Sequence, residues 1–358
     1  MALARHALSG KRIERLMDRL LYIGTDEGVI TARSTDRRSW EVVGHDLKRW
    51  EVSELATTPD GAKVFAGTRG DGVWVSEDCG KAWSKPSYGR RGPGKVRSIT
   101  IDPHDPRRLY AGCEPVDIFA SADAGRSWTR LDSVWDVPSV PAMTYPLTRV
   151  EPHVRDVAVD PQNPDLLYAA LQLGHIIRSS DRGRSWTLLA SGLDCDVHTI
   201  LLDPADPRRL IVATGGHDSR LRHAPGRALY RSDDGGAAWT PTAMTFTQEY
   251  SVPLVRDPHR PGRIYCALAN GTQGRWRRRP TGAESVLIRS NDGGTHWEQI
   301  GSGLATTDFP EALAVDDTGR LYAGCRSGDL YASDDAGESW QHLELRLPEI
   351  TSIVCATA

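Results

Sequence analysis

The stretch SEDCGKAW, residues 76–83, decides the fold, because its pattern S-x-D-x-G-x-x-W occurs five more times in the chain. The other copies are SADAGRSW at 121–128, SSDRGRSW at 179–186, SDDGGAAW at 232–239, SNDGGTHW at 290–297 and SDDAGESW at 333–340. A degraded seventh copy, RSTDRRSW at 33–40, precedes them and keeps the tryptophan in register. A motif that recurs at intervals of about 43 to 58 residues is typical of a repeat architecture.

Each octapeptide lies between two short runs of β-forming residues, which places it in a hairpin turn. Within such a turn, serine and aspartate side chains accept hydrogen bonds from backbone amides, glycine adopts positive φ, and tryptophan buries a large apolar ring. Six equivalent aspartates cannot all belong to one active site. The motif therefore indicates local folding rather than catalysis.

A second repeated element precedes each turn: an apolar strand, a D-P-x-x-P turn and a strand of the form L-Y-A-G. The clearest copies are VRSITIDPHDPRRLYAGC at 96–113, VRDVAVDPQNPDLLYAA at 154–170 and VHTILLDPADPRRLIVAT at 197–214. Alternating apolar residues between such turns predict short antiparallel strands. Each repeat then supplies four strands.

The first repeat lacks its own first strand, since residues 20–24 (LLYIG) already match the second strand of the other repeats. The missing strand is found at the other end, where residues 349–355 (EITSIVC) align with residues 95–101 (KVRSITI). We therefore predict an all-β fold, a seven-bladed β-propeller of four-stranded antiparallel blades. Its ring is closed by the C-terminal strand, residues 349–356, pairing into blade 1. Residues 1–358 form one domain in this interpretation, with residues 1–18 as an N-terminal extension.

Composition narrows the functional classes. A net charge of −3 argues against a nucleic-acid partner, and the chain contains no apolar run long enough to cross a membrane. The N-terminal residues lack the pattern of a secretory signal. Cys113, Cys266 and Cys325 occupy the same strand position in different repeats, and no C-x-x-C motif occurs. Free thiols and a cytoplasmic location are therefore expected.

The octapeptide resembles the Asp-box (BNR) repeat of β-propeller proteins, which include sialidases, xyloglucanases and a photosystem II assembly factor. The resemblance covers nearly the whole chain and implies the fold more strongly than an activity. Sialidases of this class typically have six blades and an early F/Y-R-I/V-P segment, which is absent here, so a sialidase is not expected. Xyloglucanases of this type use two facing propellers, more chain than is present. The assembly factor, similar in blade count, implies a protein-binding role.

Three long insertions, at 131–152, 215–227 and 270–284, are predicted on one face of the ring, around the mouth of the central channel. The starts of the innermost strands also reach this face. From them, and from the insertions, come the candidate residues. The predicted catalytic residues are His153, His198, Glu311 and Tyr250, and the predicted substrate-binding residues are Arg97, Arg155, Glu51, Asp196, His217 and Trp276.

Arg97 and Arg155 come from equivalent positions of neighbouring blades, so their guanidinium groups are expected to converge on one carboxylate or phosphate. The histidines, Glu311 and Tyr250 are then candidates for proton transfer. An alternative is that these rim residues pair between blades, for example His198 with Asp196. No metal site is predicted and the cofactor is unknown, although two or three histidines with Asp196 or Glu311 would suit a divalent metal.

The basic run at 274–280 (GRWRRRP) is interpreted either as a clamp over the mouth, with Trp276 stacking on a flat ligand, or as a solvated loop. The favoured function is a small-molecule-binding, enzymatic propeller that acts on an anionic substrate by hydrolase- or lyase-type acid–base chemistry. The alternative is a non-catalytic scaffold or assembly factor that presents the same face to a protein partner.

Overall fold

The computed structural model describes residues 18–87, 92–144, 151–218 and 228–357, which form seven antiparallel sheets arranged in a ring. The predicted extension lies outside the described residues except for Asp18. The strands of the first three blades are β1 Arg19–Thr25, β2 Gly28–Ser34, β3 Glu41–Asp46, β4 Val52–Thr57, β5 Val64–Thr68, β6 Gly72–Ser76, β7 Lys95–Ile101, β8 Leu109–Glu114, β9 Asp117–Ser121 and β10 Thr129–Arg130. The fourth and fifth blades contain β11 Val154–Val159, β12 Leu167–Leu171, β13 His175–Ser179, β14 Thr187–Leu189, β15 Val197–Leu202, β16 Leu210–Thr214, β17 Leu229–Ser232 and β18 Thr240–Pro241.

The remaining strands complete the sixth, seventh and first blades. They are β19 Tyr250–Arg256, β20 Ile264–Ala269, β21 Val286–Ser290, β22 Glu298–Ile300, β23 Pro310–Val315, β24 Leu321–Cys325, β25 Leu330–Ser333, β26 Gln341–His342 and β27 Ile350–Thr357. A short helix, α1 Gln273–Trp276, and two 3-10 segments, Asp132–Asp136 and Val140–Ala142, lie in the insertions. Within the described ranges, no helix has the length and hydrophobicity that a membrane crossing requires.

The seven-bladed architecture confirms the fold predicted from the repeats. Six sheets have four strands, and in the second blade the outer strand is reduced to a single bridge between Val75 and Ser84. Pro86 follows this bridge in the sequence and has no amide hydrogen to donate to a neighbouring strand. The inner strands β4, β7, β11, β15, β19, β23 and β27 contact one another in sequence around the ring.

The ring closes through β27, which pairs antiparallel with β1 from Arg19↔Thr357 to Thr25↔Ile350. The predicted closing strand, residues 349–356, is therefore confirmed with a shift of one residue. Because β27 supplies the inner strand of the first blade, the two ends of the described chain hold each other, and β1 is paired along both of its edges.

The octapeptide turns contain the same hydrogen bonds in all six intact copies. The serine hydroxyl donates to the aspartate carboxylate at 2.7–2.9 Å and accepts from the glycine amide at 2.7–2.9 Å. The aspartate accepts the amide four residues further on at 2.8–3.0 Å. In the degraded copy, Ser34 and Asp36 make equivalent bonds. The motif thus closes turns at the end of each blade opposite to the starts of the inner strands.

The turn glycine also joins neighbouring blades. Gly80 has φ of +81°, and a Cβ there would lie 2.7 Å from the ring of Tyr22 in the preceding blade. Only glycine combines this backbone conformation with such a close approach. Seven clusters of buried apolar side chains fill the seven interfaces between adjacent blades. The core is therefore a ring of interfaces rather than one central mass.

Shortening one side chain of the closing strand should destabilise the whole ring. Ile350 is fully buried between the seventh and first blades. We expect Ile350→Ala to lower the free energy of unfolding by about 2–5 kcal/mol, because the substitution leaves a cavity in a packed interface. Urea denaturation measures this, with Val42→Ala as the control. Val42 is 47% exposed, and its truncation should change stability by less than about 0.5 kcal/mol. Equal effects of the two substitutions would contradict the proposed role of the closing strand.

The turns should also make stability depend on acid. Hydrogen bonds from the side chain and amide of Ser185 and from Ser179 lower the pKa of Asp181 to about 2, below its usual value of 3.8. A carboxylate with a lowered pKa stabilises the fold above its unfolded pKa, and that contribution is lost as the pH falls through the folded pKa. Asp181→Asn should therefore weaken the dependence of the melting temperature on pH between about 4 and 2. Asp132→Asn, at an exposed aspartate outside these turns, should leave the dependence as it is.

Candidate functional site

A β-bulge at the start of every inner strand builds the wall of the central channel. In each blade the pairing with the next strand skips one residue, or two in the sixth blade. A bulge re-aims the side chain of its extra residue. The bulged residues are Ser53, Arg97, Arg155, His198, Val252 with Pro253, Glu311 and Thr351, and all of them line one cavity.

This cavity occupies the mouth of the channel and has a volume of about 510 Å³, a size that suits a small-molecule ligand. Besides the bulged residues, it is lined by polar side chains that include Asp26, Glu51, Glu54, Arg69, Gln273, Arg277, Arg326 and Glu349. The starts of the inner strands and one of the three insertions, 270–284, meet at this mouth as expected, whereas no described residue of the insertions at 131–152 and 215–227 lines the cavity. Of the predicted site residues, the cavity brings together Arg97, Arg155, His198, Glu311 and Glu51.

The arginines of the cavity differ in whether they have a carboxylate partner. Arg97 binds Glu114 through its guanidinium, with the Nε–Oε2 distance at 2.8 Å. Burial, together with the positive charges of Arg69 and Arg155, lowers the pKa of Arg97 to about 10. Arg69 forms an ion pair with Glu51 at 2.6 Å, so Glu51 also has a charged protein partner.

On the opposite side of the cavity, Arg326 lies 3.3 Å from Glu311 and also contacts Glu349, which accepts from Arg277 at 3.1 Å. Arg155 has no ion pair with any residue in the described ranges, and its charge acts on Arg97 and Glu54. Arg155 is therefore the arginine of the cavity whose positive charge is not neutralised by a direct partner. The sequence placed both Arg97 and Arg155 correctly on the rim but did not anticipate that Glu114 binds one of them.

His198 lines the cavity with both ring nitrogens directed at protein oxygens. Its Nε2 lies 3.2 Å from Asp196 Oδ1, and its Nδ1 lies 2.6 Å from the carbonyl of Ser251. The geometry therefore agrees with the alternative in which rim residues pair with each other, here His198 with Asp196. Asp196 is buried and serves to orient His198 rather than to line the cavity.

Two predicted catalytic residues lie behind the cavity wall. His153 is 1% exposed and places its Nδ1 2.8 Å from the carbonyl of Glu151. Burial and the charges of Arg97 and Arg155 hold its pKa well below the usual value, so its ring is neutral at neutral pH. Tyr250 is enclosed by the rings of His198 and other neighbours, and burial raises its pKa. The geometry thus gives neither side chain a direct path to a ligand in the cavity.

The insertion at 270–284 is anchored to the propeller by Trp276, while the side chains of Arg275, Arg277 and Arg278 remain exposed. Trp276 is only 7% exposed, and its ring packs against Tyr250 and Phe309 while its indole NH donates to the carbonyl of Asn270 at 3.1 Å. The expected stacking of Trp276 on a ligand is therefore corrected, because the ring anchors the insertion from inside. From the same helix, Gln273 donates to Glu311 at 3.1 Å and partly covers the mouth.

The other two insertions contribute differently. Described residues of the 131–152 insertion pack into the seam between the third and fourth blades, where Val134 and Val137 join a cluster of buried residues. Residues 145–150 and 219–227 lie outside the described residues. His217, at the start of the 215–227 insertion, does not line the cavity and lies instead beside Cys195 and Asp218.

Glu54 is the functional candidate that the sequence analysis did not select. It follows the bulged Ser53, lines the cavity, and accepts a hydrogen bond from the hydroxyl of Ser352 at 2.8 Å. Part of the side chain faces the channel, but the carboxyl is shielded from bulk solvent, and this burial raises its pKa to about 7. At the equivalent position of the fourth blade, burial raises the pKa of Asp156 to about 6. The sequence feature that could have identified Glu54 is a carboxylate at a strand position that Ser98 and Thr199 occupy in the third and fifth blades.

The cavity contains both a carboxyl group with a pKa near neutral and an arginine without an ion-pair partner in the described ranges, and the two groups have different chemical capacities. The arginine attracts an anion, and the carboxyl can donate a proton when neutral and accept one when ionised. Perturbed carboxyl groups of this kind cluster at functional sites. The cavity therefore holds groups suited to anion binding, from the fourth blade, and to proton transfer, from the second blade.

Comparison with known proteins agrees with this fold. The profile of the strictosidine synthase-like N-terminal family matches residues 300–333, within the last repeats. A xyloglucanase from a Paenibacillus species is 26% identical over 201 residues, which cover 49% of this chain and 19% of that protein. The xyloglucanase Xgh74A from Acetivibrio thermocellus is 25% identical over 202 residues, covering 49% of this chain and 24% of that protein. The chain thus spans at most about a quarter of these relatives.

Solved structures with similar folds cover most of the chain. A candidate 6-phosphogluconolactonase from Bacteroides uniformis superposes with a TM-score of 0.61 at 13% identity, covering 95% of this chain and 99% of that one. The GH74 enzyme of Niastella koreensis has a TM-score of 0.60 at 16% identity, with coverages of 90% and 52%. YCF48 bound to a D1 peptide has a TM-score of 0.55 at 13% identity, with coverages of 86% and 93%. At these identities the likeness shows a shared propeller fold.

The raised pKa of Glu54 predicts how stability varies near neutral pH. Between the usual value of 4.5 and about 7, the folded state holds a proton that the unfolded state has lost. The contribution of Glu54 to stability is therefore full below about pH 4.5 and declines as the pH rises toward 7. Glu54→Gln mimics the neutral form, so the variant should lose less stability across this range when urea denaturation is followed at several pH values. Glu41→Gln, at an exposed glutamate, is the control, and identical pH profiles for wild type and Glu54→Gln would contradict the assignment.

Proposed function

We propose that the protein binds an anionic sugar derivative at the mouth of the channel and acts on it as a cofactor-independent hydrolase or lyase. The observation that carries this proposal is the guanidinium of Arg155, which faces the cavity without an ion pair among the described residues. Arg155 is half-buried, so its charge lies in the cavity without a carboxylate partner from the described residues. An anionic ligand would supply the missing partner through charge-assisted hydrogen bonds.

The cavity chemistry supports a reaction as well as binding. Glu54 has a pKa of about 7, so both of its protonation states are populated near neutral pH. In the proposed reaction, the neutral form gives its proton to a leaving oxygen, and the ionised form takes a proton from water or from the substrate. His198 lines the same cavity, and because Asp196 and the carbonyl of Ser251 hold both of its ring nitrogens, it shapes the wall rather than supplying a free hydrogen-bond donor.

The similar proteins support the choice of substrate class. The matched relatives are named as xyloglucanases, which are enzymes of carbohydrate cleavage. The candidate 6-phosphogluconolactonase has the same single-ring proportions, and its name refers to a phosphorylated sugar lactone. A phosphorylated or carboxylated sugar is both a carbohydrate and an anion, and its negative charge is complementary to the positive charge of Arg155.

The protein-binding alternative relied on the basic insertion reaching toward a partner. Arg277 instead binds Glu349, Arg279 donates to the carbonyl of Asn270 at 3.4 Å, and Trp276 is buried. These contacts tie the insertion to its own propeller. Arg275, Arg277 and Arg278 nevertheless remain exposed, so the contacts fix the backbone of the insertion and leave its basic side chains available to a partner.

Replacing Arg155 should remove anion binding. We expect isothermal titration calorimetry of wild-type protein with 6-phosphogluconate, glucuronate and inorganic phosphate to detect binding of at least one of these anions. Arg155→Gln should weaken that binding by about 10- to 100-fold, since a hydrogen bond to a charged group contributes about 1.5–3 kcal/mol. Thermal unfolding should show that the variant is folded.

The matched control is Arg38→Gln, which removes the same charge from an exposed position in the degraded octapeptide turn at the other end of the first blade. It should bind the anion as wild type does. Binding that survives in Arg155→Gln, or binding of neutral xyloglucan oligosaccharides alone, would refute the anionic substrate. Capture of a protein partner that depends on Arg275–Arg279 would instead favour the scaffold alternative.

A further inference from the structure

Outside the cavity, the side chains of Cys195, His217 and Asp218 converge on one point. Cys195 Sγ lies 3.5 Å from His217 Nδ1 and 3.6 Å from Asp218 Oδ1, and the latter two atoms are also 3.6 Å apart. The three atoms therefore form a nearly equilateral triangle. They come from the loop before β15 and from the beginning of the 215–227 insertion.

This triangle has the dimensions of three corners of a tetrahedral metal site. Metal–ligand bonds of about 2.3 Å to sulfur and about 2.0–2.1 Å to nitrogen and oxygen, at tetrahedral angles, separate the ligand atoms by about 3.3–3.6 Å. A thiolate, an imidazole and a carboxylate together are donors of the type that zinc prefers. The observed separations thus fit a single ion bound by all three side chains.

The same geometry disfavours a catalytic cysteine. In a nucleophile–base–orienter arrangement, the histidine bridges the other two residues through its two different ring nitrogens. Here Cys195 and Asp218 both face the same nitrogen, Nδ1. Burial and the nearby carboxylates of Asp218, Asp194 and Asp196 also raise the pKa of the Cys195 thiol, whereas a nucleophilic cysteine needs a lowered one.

The backbone around the cluster is held by a buried carboxylate. Asp194 is 1% exposed and accepts the amide of His217 at 3.2 Å, the amide of Asp218 at 2.9 Å and that of Asp196 at 3.0 Å. These bonds join the two chain segments that carry the three side chains. Gly215 permits the approach, because a Cβ there would lie 2.0 Å from Asp196 Oδ2. Such outer support fixes the orientation of metal ligands.

We propose that Cys195, His217 and Asp218 form a binding site for one divalent transition-metal ion, with Zn²⁺ as the best match. Three protein ligands leave a fourth coordination position for water or another donor. The ion would link the beginning of the fifth-blade insertion, at His217 and Asp218, to Cys195 just before β15. His198 in β15 lines the cavity. The carboxylates of Asp194 and Asp196 add the negative field that attracts a cation.

Cobalt substitution tests the site without reference to any activity. Tag-free protein, treated with a chelator and kept reduced, is titrated with Co²⁺ while its absorption spectrum is recorded. We expect one Co²⁺ per chain, with a thiolate-to-cobalt charge-transfer band and the intense visible bands of tetrahedral cobalt, and displacement of Co²⁺ by Zn²⁺. Cys195→Ser should abolish the thiolate band, and Asp218→Asn should weaken binding at least tenfold.

The matched control is Cys79→Ser, which removes another half-buried thiol in the second blade and should leave the titration unchanged. Circular dichroism establishes whether each variant is folded. If Cys195→Ser does not fold, Asp218→Asn still tests the site. The proposal fails if wild-type protein gives no saturable thiolate band, or if the band persists in Cys195→Ser. Neither result depends on Arg155, so the site and the proposed function are tested separately.

Discussion

The pairing of β27 with β1 is the constraint on which the other features depend. The interfaces between blades are equivalent sets of apolar contacts, and a ring keeps all of them only if the last strand of the chain completes the first sheet. Closure also fixes the radius of the channel, since seven inner strands must surround it. The bulged residues then face one another across a space of defined size. A site assembled from residues as distant as Ser53 and Glu311 therefore owes its geometry to hydrogen bonds between the two ends of the chain.

The bulges explain how a repetitive backbone carries a site that does not repeat. Each blade offers one bulged position at the channel, or two in the sixth blade, and the sequence fills these positions with serine, arginine, histidine, valine and proline, glutamate or threonine. The result is a polarised cavity, with Arg97, Arg155 and His198 on consecutive blades and Glu311 opposite them. The octapeptide turns, by contrast, place the same residues in the same roles at the other end. The repeated turn motifs and the non-repeating polar cavity thus occupy opposite ends of the same blades.

The sequence was sufficient for the fold because repetition shows which residues are equivalent. It identified the turns, the number of blades and the closing strand, and it placed Arg97 and Arg155 on the rim. The sequence did not identify the interaction partners of the site side chains. Those partners come from segments that are not equivalent in the repeats, so the repeat pattern does not relate them. Glu114 neutralises Arg97 from the end of β8, and Trp276 is buried because its insertion folds back. Cys195 and His217 are 22 residues apart, and their segments are joined by the carboxylate of Asp194 and by a backbone hydrogen bond from Gly215 to Asp196, so no short cysteine–histidine spacing indicated their cluster.

The electrostatics of the channel argue that its polar groups serve a purpose other than stability. Burial holds Glu54 and Asp156 partly neutral, and Arg155 faces the cavity without the pairing that Arg97 receives. Apolar residues at these positions would pack the channel without a desolvation penalty, as they do at Val252 and Pro253 in the sixth blade. An arrangement that lowers stability in the free protein persists in a fold when it is used, and sites that bind or transform ligands are where such strain is found. The charge of Arg155, which lacks an ion-pair partner in the described ranges, and the raised pKa of Glu54 in the same cavity therefore support the proposal that a ligand binds at the mouth.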